Sequence, residues 1–151
     1  SDLFFLEVKK KFKGRTDKKR ITVDNFEDQL TPESIEYIQN VMQEGVNLEM
    51  KLFNTFDRIT LVSKTSKERL TIDMNLAYED ENGAKALNHL VIAELKQERL
   101  DTRSPFYVQM KKNIIRPSGF SKYCIGAISM NDQLKYNNFK PKMMLIEKYK
   151  N

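Results

Sequence analysis

The chain has 151 residues, 31% of them charged and 40% hydrophobic, which fits a soluble globular domain or part of one and leaves no apolar run near the roughly 20 residues a membrane span needs. No signal-peptide pattern opens it, so it reads as cytoplasmic. The net charge of +5 is unevenly spread: residues 1–20 carry +5, residues 21–104 carry −7 and residues 105–151 carry +7, a basic start and end around an acidic middle that suggest an anionic partner.

Leu3 to Phe12 alternates with period two, setting Phe4, Leu6 and Val8 on one face and Glu7, Lys9 and Lys11 on the other, the pattern of a strand against a core. Gly14 to Asp17 is expected to turn, and Lys18 to Asp24 to return as the second strand of a hairpin with Lys18 and Arg20 on one side. Thr31-Pro32 starts a helix, with Thr31 as N-cap and proline in the first helical position. Ile35, Ile38, Val41 and Met42 supply its apolar stripe, and Gly45 suits the left-handed position at its end.

Lys51 to Val62 and Glu68 to Tyr78 are two further strands joined by the polar turn Ser63 to Lys67. In the second, Leu70, Ile72 and Met74 face one way and Arg69, Thr71, Asp73 and Asn75 the other. Glu79 to Gly83 is an acidic loop. Leu90 to Gln97 makes a fifth strand, in which Ile92, Glu94 and Lys96 share a side. Ser104-Pro105 opens a helix through Asn113, and Ser118 opens another through Met130 with an apolar stripe of Phe120, Tyr123, Cys124, Ala127 and Ile128. The tail from Asn131 is polar and Lys-rich, with Met143 to Ile146 as its apolar patch.

One cysteine, Cys124, excludes an internal disulfide framework and a Cys-rich zinc site, and one histidine, His89, excludes a His-based metal triad. Neither GxGxxG nor GxxxxGK[ST] occurs, so any phosphate must be held by side chains. Such side chains recur at period-two spacing: Glu7, Lys9 and Lys11; Lys18 and Arg20; Arg58; Arg69 and Asp73; Glu94 and Lys96. Solvated outer faces of an antiparallel sheet are the commoner meaning of this pattern. Turned inward in a curled sheet, the same faces would line a polar bore whose clustered cations require an anion.

The segments Phe5-Leu6-Glu7-Val8-Lys9-Lys10-Lys11, Thr16-Asp17-Lys18-Lys19-Arg20, Phe56-Asp57-Arg58, Arg69-Leu70-Thr71-Ile72-Asp73, Ala93-Glu94-Leu95-Lys96 and Gly119-Phe120-Ser121-Lys122-Tyr123 together resemble the VTC domain. This is the polyphosphate polymerase domain of vacuolar transporter chaperone proteins, and the resemblance runs in order from Leu3 to about Met130. It implies an α+β fold of the triphosphate tunnel metalloenzyme type, an antiparallel sheet forming a full or partial barrel with flanking helices. It further implies ATP and polyphosphate as partners and Mn²⁺ or Mg²⁺ as the metal. Carried over position by position, Lys9, Lys18, Arg20, Arg58, Arg69, Ser121 and Lys122 resemble the family's phosphate-binding residues. Lys9, Arg58 and Arg69 are the ones assigned to catalysis, and Glu94 resembles the metal-binding carboxylate.

The family's first strands, including a basic Arg-x-Arg strand, are not in this chain. Residues 1–151 are therefore expected to be one domain's C-terminal portion, N-terminally truncated, inactive alone, and prone to form a homodimer through exposed sheet edges. The leading expectation is transfer of the terminal phosphate of ATP to polyphosphate. A non-catalytic module binding polyphosphate or inositol polyphosphate, and a triphosphatase of the same fold, are the alternatives. Nucleic acid ranks last, because the aromatic residues mostly fall on apolar faces and leave no stacking platform.

Overall fold

The computed structural model describes residues 3–43, 45 and 47–150 and falls into two compact units, Ser1–Glu49 and Met50–Asn151. In the first unit, β1 (Phe4–Phe12) and β2 (Arg15–Val23) form an antiparallel hairpin in which Phe12 faces Arg15 and Phe4 faces Val23. Only Lys13 and Gly14 make the turn, both at positive φ (46° and 79°), as the two-residue hairpin turn that matches strand twist demands. The expected turn over Gly14 to Asp17 is thereby shortened, and Arg15, Thr16 and Asp17 join the strand.

Helix α1 (Pro32–Met42) follows. The Thr31 hydroxyl accepts from the Ser34 N–H at 3.2 Å, and Glu27 accepts from the hydroxyls of Thr31 and Ser34, so the first turn gains a cap and a compensating negative charge. At the other end the left-handed residue is Gln43 (φ 62°), two positions before the expected Gly45. The Lys10 ammonium, reaching over from β1, donates to the carbonyls of Val41 and Met42 at 2.8 and 3.3 Å. A cation on the last carbonyls does part of the work of a glycine cap.

The second unit is organised by β4 (Glu68–Asp80). One edge pairs with β3 (Phe53–Val62), and the other takes β6 (Ile92–Gln97) beside Glu68–Asp73 and β5 (Gly83–Leu87) beside Leu76–Asp80, all antiparallel. The expected acidic loop Glu79 to Gly83 narrows to a turn at Glu81 and Asn82, because β4 runs on to Asp80 and β5, with the sequence GAKAL and little alternation, begins at Gly83. The β3–β4 register shifts between Thr55 and Asp57, and Asn75 opposite has φ 53°, a bulge for which asparagine is suited. Across the bulge the buried positions change parity, from Thr71 and Asp73 to Leu76 and Tyr78. One face of β4 thus passes from polar to apolar along its length.

The apolar end carries the core: Leu76, Tyr78, Leu87, Leu90, Ile125 and Ile146. It is covered by helix α3 (Lys122–Met130) and helix α4 (Lys140–Lys148), while α2 (Pro105–Lys112) buries no residue. One expectation changes here. Helix α3 buries Ile125, Gly126 and Ser129, whereas Tyr123 of the expected stripe is 58% exposed. The reason is contact distance: a Cβ on Gly126 would lie 2.4 Å from two ring carbons of Tyr78 and 2.6 Å from a Leu52 methyl, so the glycine face is the one that can approach the sheet. The polar, Lys-rich tail holds α4, and from its apolar patch Ile146 is buried in the core.

The described residues make mixed α and β structure with antiparallel sheets of two and four strands and no closed barrel. No helix among them is long and apolar enough to cross a membrane.

Candidate functional site

Pairing register decides which side chains share a face. Across β3, β4 and β6 three rows lie side by side: Arg58, Asp73 and Ile92; Thr60, Thr71 and Glu94; Val62, Arg69 and Lys96. Arg58, Arg69 and Glu94 therefore project from one face. The opposite face is apolar, with Ile59 beside Ile72, and Leu61, Leu70 and Leu95 in one row. Both halves of the expected alternation in these strands are realised.

Asp73 is the centre of the polar face and only 3% exposed. Arg58 Nε and Nη2 donate to its two oxygens at 2.6 and 2.8 Å, a bidentate fork, and Lys122 Nζ donates to Oδ2 at 2.5 Å. Lys122 is the first residue of α3, so this contact fastens the helix start to the sheet. Both cations also lie over the Phe56 ring, Lys122 Nζ at 4.2 Å and the Arg58 guanidinium carbon at 5.0 Å from its centroid. The Arg58 guanidinium, against the opposing effect of burial and with help from Lys122, holds the Asp73 carboxyl below the usual range, and Asp73 raises Arg58 further above its ordinary value.

Glu94 is half exposed, with Lys96 Nζ 3.4 Å from it. Arg69 is exposed. Between these groups Thr71 is 6% exposed, and its hydroxyl has no hydrogen-bond partner. Where the face reaches the β3–β4 turn, a concavity of about 480 Å³ is lined by Val62, Arg69 and Lys96 together with Lys67, Gln97 and their neighbours. Ser121 is placed as the N-cap of α3, accepting from the Cys124 N–H at 3.3 Å. The positive end of α3 lies there, three residues beyond the expected start at Ser118.

In the first unit, β1 and β2 set Glu7 opposite Arg20 and Lys9 opposite Lys18 on one face. Glu7 bridges both lysines, with Lys9 Nζ at 2.8 Å and Lys18 also in contact. Burial pulls the Glu7 carboxyl up, but hydrogen bonds from Lys18 and Lys9 outweigh it and hold the group below its usual value. Arg20 stacks over the Phe5 ring at 4.6 Å. The hairpin thus gathers Lys9, Lys18 and Arg20, and the four-stranded sheet gathers Arg58, Arg69, Glu94 and Lys122, each within its own unit.

Sequence reasoning passed over Asp73 and Phe56 as functional residues. Asp73 stood on the right face in the alternation, but its 15- and 49-residue separations from Arg58 and Lys122 hide the pairing until the strands and α3 are in place.

Metal capacity is narrow. Among the described residues no group of three His, Cys, Asp or Glu side chains is placed to hold an ion. With Asp73 committed to two cations, Glu94 is the carboxylate left on this face. One or two carboxylates suffice for a Mg²⁺ or Mn²⁺ that keeps its waters and is also held by phosphate oxygens, so Glu94 fits a metal that arrives with a phosphate chain.

The family model of the VTC domain matches residues 1–131 of the chain. No curated protein and no solved structure matches it.

Proposed function

We propose, proceeding from the fact that this chain belongs to the VTC domain family, that its charged sheet face binds a phosphate polyanion and serves transfer of the terminal phosphoryl group of ATP to polyphosphate. Family membership supports a polyphosphate-related function in general. The observation that carries the finer reading is the register that sets Arg58, Arg69, Lys96, Glu94 and the unpartnered Thr71 hydroxyl on one face. Such a face has what phosphoryl transfer requires, cations for the charge on phosphoryl oxygens and a donor to orient them.

In the reaction, a terminal oxygen of the acceptor chain attacks the γ-phosphorus of ATP. The new P–O bond forms as the bond from that phosphorus to the β,γ-bridging oxygen breaks, and ADP leaves with the electron pair. No protein nucleophile is needed. Arg58 and Arg69 balance the charge on the transferred group, and Thr71 donates to one of its oxygens. Within the hairpin unit Lys9, Lys18 and Arg20 bind phosphate, and within the four-stranded unit Lys122 stands at the helix start. Glu94 would hold the divalent ion, which supplies charge neutralisation on the phosphate oxygens when bound. The bound polyphosphate would run in a tunnel of the family type. A homodimer through the exposed edges of the sheets belongs to the same proposal.

The test is synthesis. The intact domain that includes these residues, incubated with ATP and Mn²⁺, is expected to yield long-chain polyphosphate, and Glu94→Gln to lose at least about tenfold in rate, in line with removal of a metal-orienting group. Absence of polymer, with orthophosphate released from ATP instead, would favour the triphosphatase alternative. Binding of polyphosphate that is indifferent to both Mn²⁺ and Glu94→Gln would point to a non-catalytic module.

A further inference from the structure

We infer that Asp73 is a positioning residue, holding Arg58 and Lys122 as one preassembled anion-binding pair. The inference rests on the phosphate-binding reading of the same face and adds a residue to it. A carboxylate in a site meant for phosphate looks misplaced on charge grounds, since it cancels one of the cations. Its geometry accounts for it. The Arg58–Asp73–Lys122 group keeps a net charge of +1, and Asp73 uses only part of its partners' donors. Arg58 spends Nε and one hydrogen of Nη2, which leaves Nη1 and the other Nη2 hydrogen, and Lys122 spends one ammonium hydrogen of three.

Free arginine and lysine side chains each carry about 2 kcal/mol of rotamer entropy, which an incoming anion must otherwise remove on binding. Here that ordering is completed on folding: Asp73 is 3% exposed on a central strand, and the Phe56 ring supports both cations. The two are brought together from a neighbouring strand and from the first turn of α3. Without the carboxylate, two like charges over one ring would repel each other.

Charge and positioning predict opposite results for Asp73→Asn. The variant raises net charge by one, so a site acting through charge alone binds a polyanion more tightly. A site that depends on positioning binds it more weakly. The probe is inorganic tripolyphosphate, titrated calorimetrically into the whole chain. The expected outcome is about tenfold weaker binding by Asp73→Asn, the scale of one lost charge-assisted hydrogen bond. The Arg58 Nε–H resonance is expected to broaden by exchange in Asp73→Asn.

Equal or tighter binding by Asp73→Asn overturns the inference while leaving the phosphate-binding reading in place. Failure of the unmodified chain to bind tripolyphosphate overturns the reading itself and the inference with it. Should Asp73→Asn not fold, Asp73→Glu decides, since it keeps the charge and moves the carboxylate by one methylene. Weaker binding by that variant supports positioning, and unchanged binding overturns it.

Discussion

Gly126→Ala places a methyl group where α3 meets the sheet. The added Cβ would sit 2.4 Å from Tyr78 Cδ1 and Cε1 and 2.6 Å from Leu52 Cδ2, against an ordinary carbon–carbon separation of about 3.8 Å. Helix and strand must separate by about 1.4 Å, or Tyr78, 1% exposed and at the centre of the core, must turn away. Overpacking of this kind costs about 3 kcal/mol at the upper end of its range, and the better helix propensity of alanine returns about 1. A net loss of about 2 kcal/mol is expected. In urea denaturation the midpoint of the second unit should fall by about 1 M with little change in slope. Gly119→Ala is the control, since a Cβ there meets nothing within 4 Å, and it should leave the midpoint where it was. Position 126 lies one helical turn beyond Lys122, so the same displacement stretches the Lys122–Asp73 contact, and tripolyphosphate affinity should drop with stability. A midpoint that stays level or rises in Gly126→Ala would refute the packing account of α3, and with it the claim that this helix start is held against the sheet.

Acid should destabilise the protein through its bridging carboxylates. Asp73 and Glu7 both have carboxyls held below their ordinary values, so the stability they confer is present above the unfolded value of about 4 and is lost as pH falls through the lower folded value. Denaturation midpoints should be level above about pH 5 and decline below about pH 4, with a smaller decline in Asp73→Asn, and identical acid profiles for the two proteins would contradict the assignment. Thr71→Val replaces a buried, unpartnered hydroxyl by a methyl group of similar size. Stability should hold or rise by up to about 1 kcal/mol, while tripolyphosphate affinity falls severalfold. Unchanged affinity would reduce Thr71 to a packing residue.

Much of the polar face was legible because strand alternation is a local property. Arg69, Thr71 and Asp73 on one side of β4, and Ile92, Glu94 and Lys96 on one side of β6, follow from period two alone, and the structure sets both on a common face. What alternation does not contain is depth. A polar strand face suggests water, yet Thr71 and Asp73 are buried, because the bulge at Asn75 carries that face into the core occupied by Leu76 and Tyr78. The α3 stripe misled for a related reason: apolar spacing marked Tyr123 and Cys124, whereas the buried face includes a residue with no side chain, Gly126, where a Cβ would meet Tyr78 and Leu52. The α1 ending was sought at glycine, but Lys10, far away in sequence, satisfies the last carbonyls. Each departure involves a partner from another element, which local pattern cannot report.

The central claim is that the Arg58–Arg69–Glu94 face is where a phosphate chain binds. A crystal structure of the chain grown with tripolyphosphate and Mn²⁺ tests it most directly. The account predicts phosphoryl oxygens within hydrogen-bond distance of the Arg58 and Arg69 guanidinium groups and of Thr71 Oγ1, with the metal on Glu94 and Asp73 still bridging Arg58 to Lys122. Tripolyphosphate bound instead to the exposed lysines of α2 or α4, with this face free of it, would contradict the account.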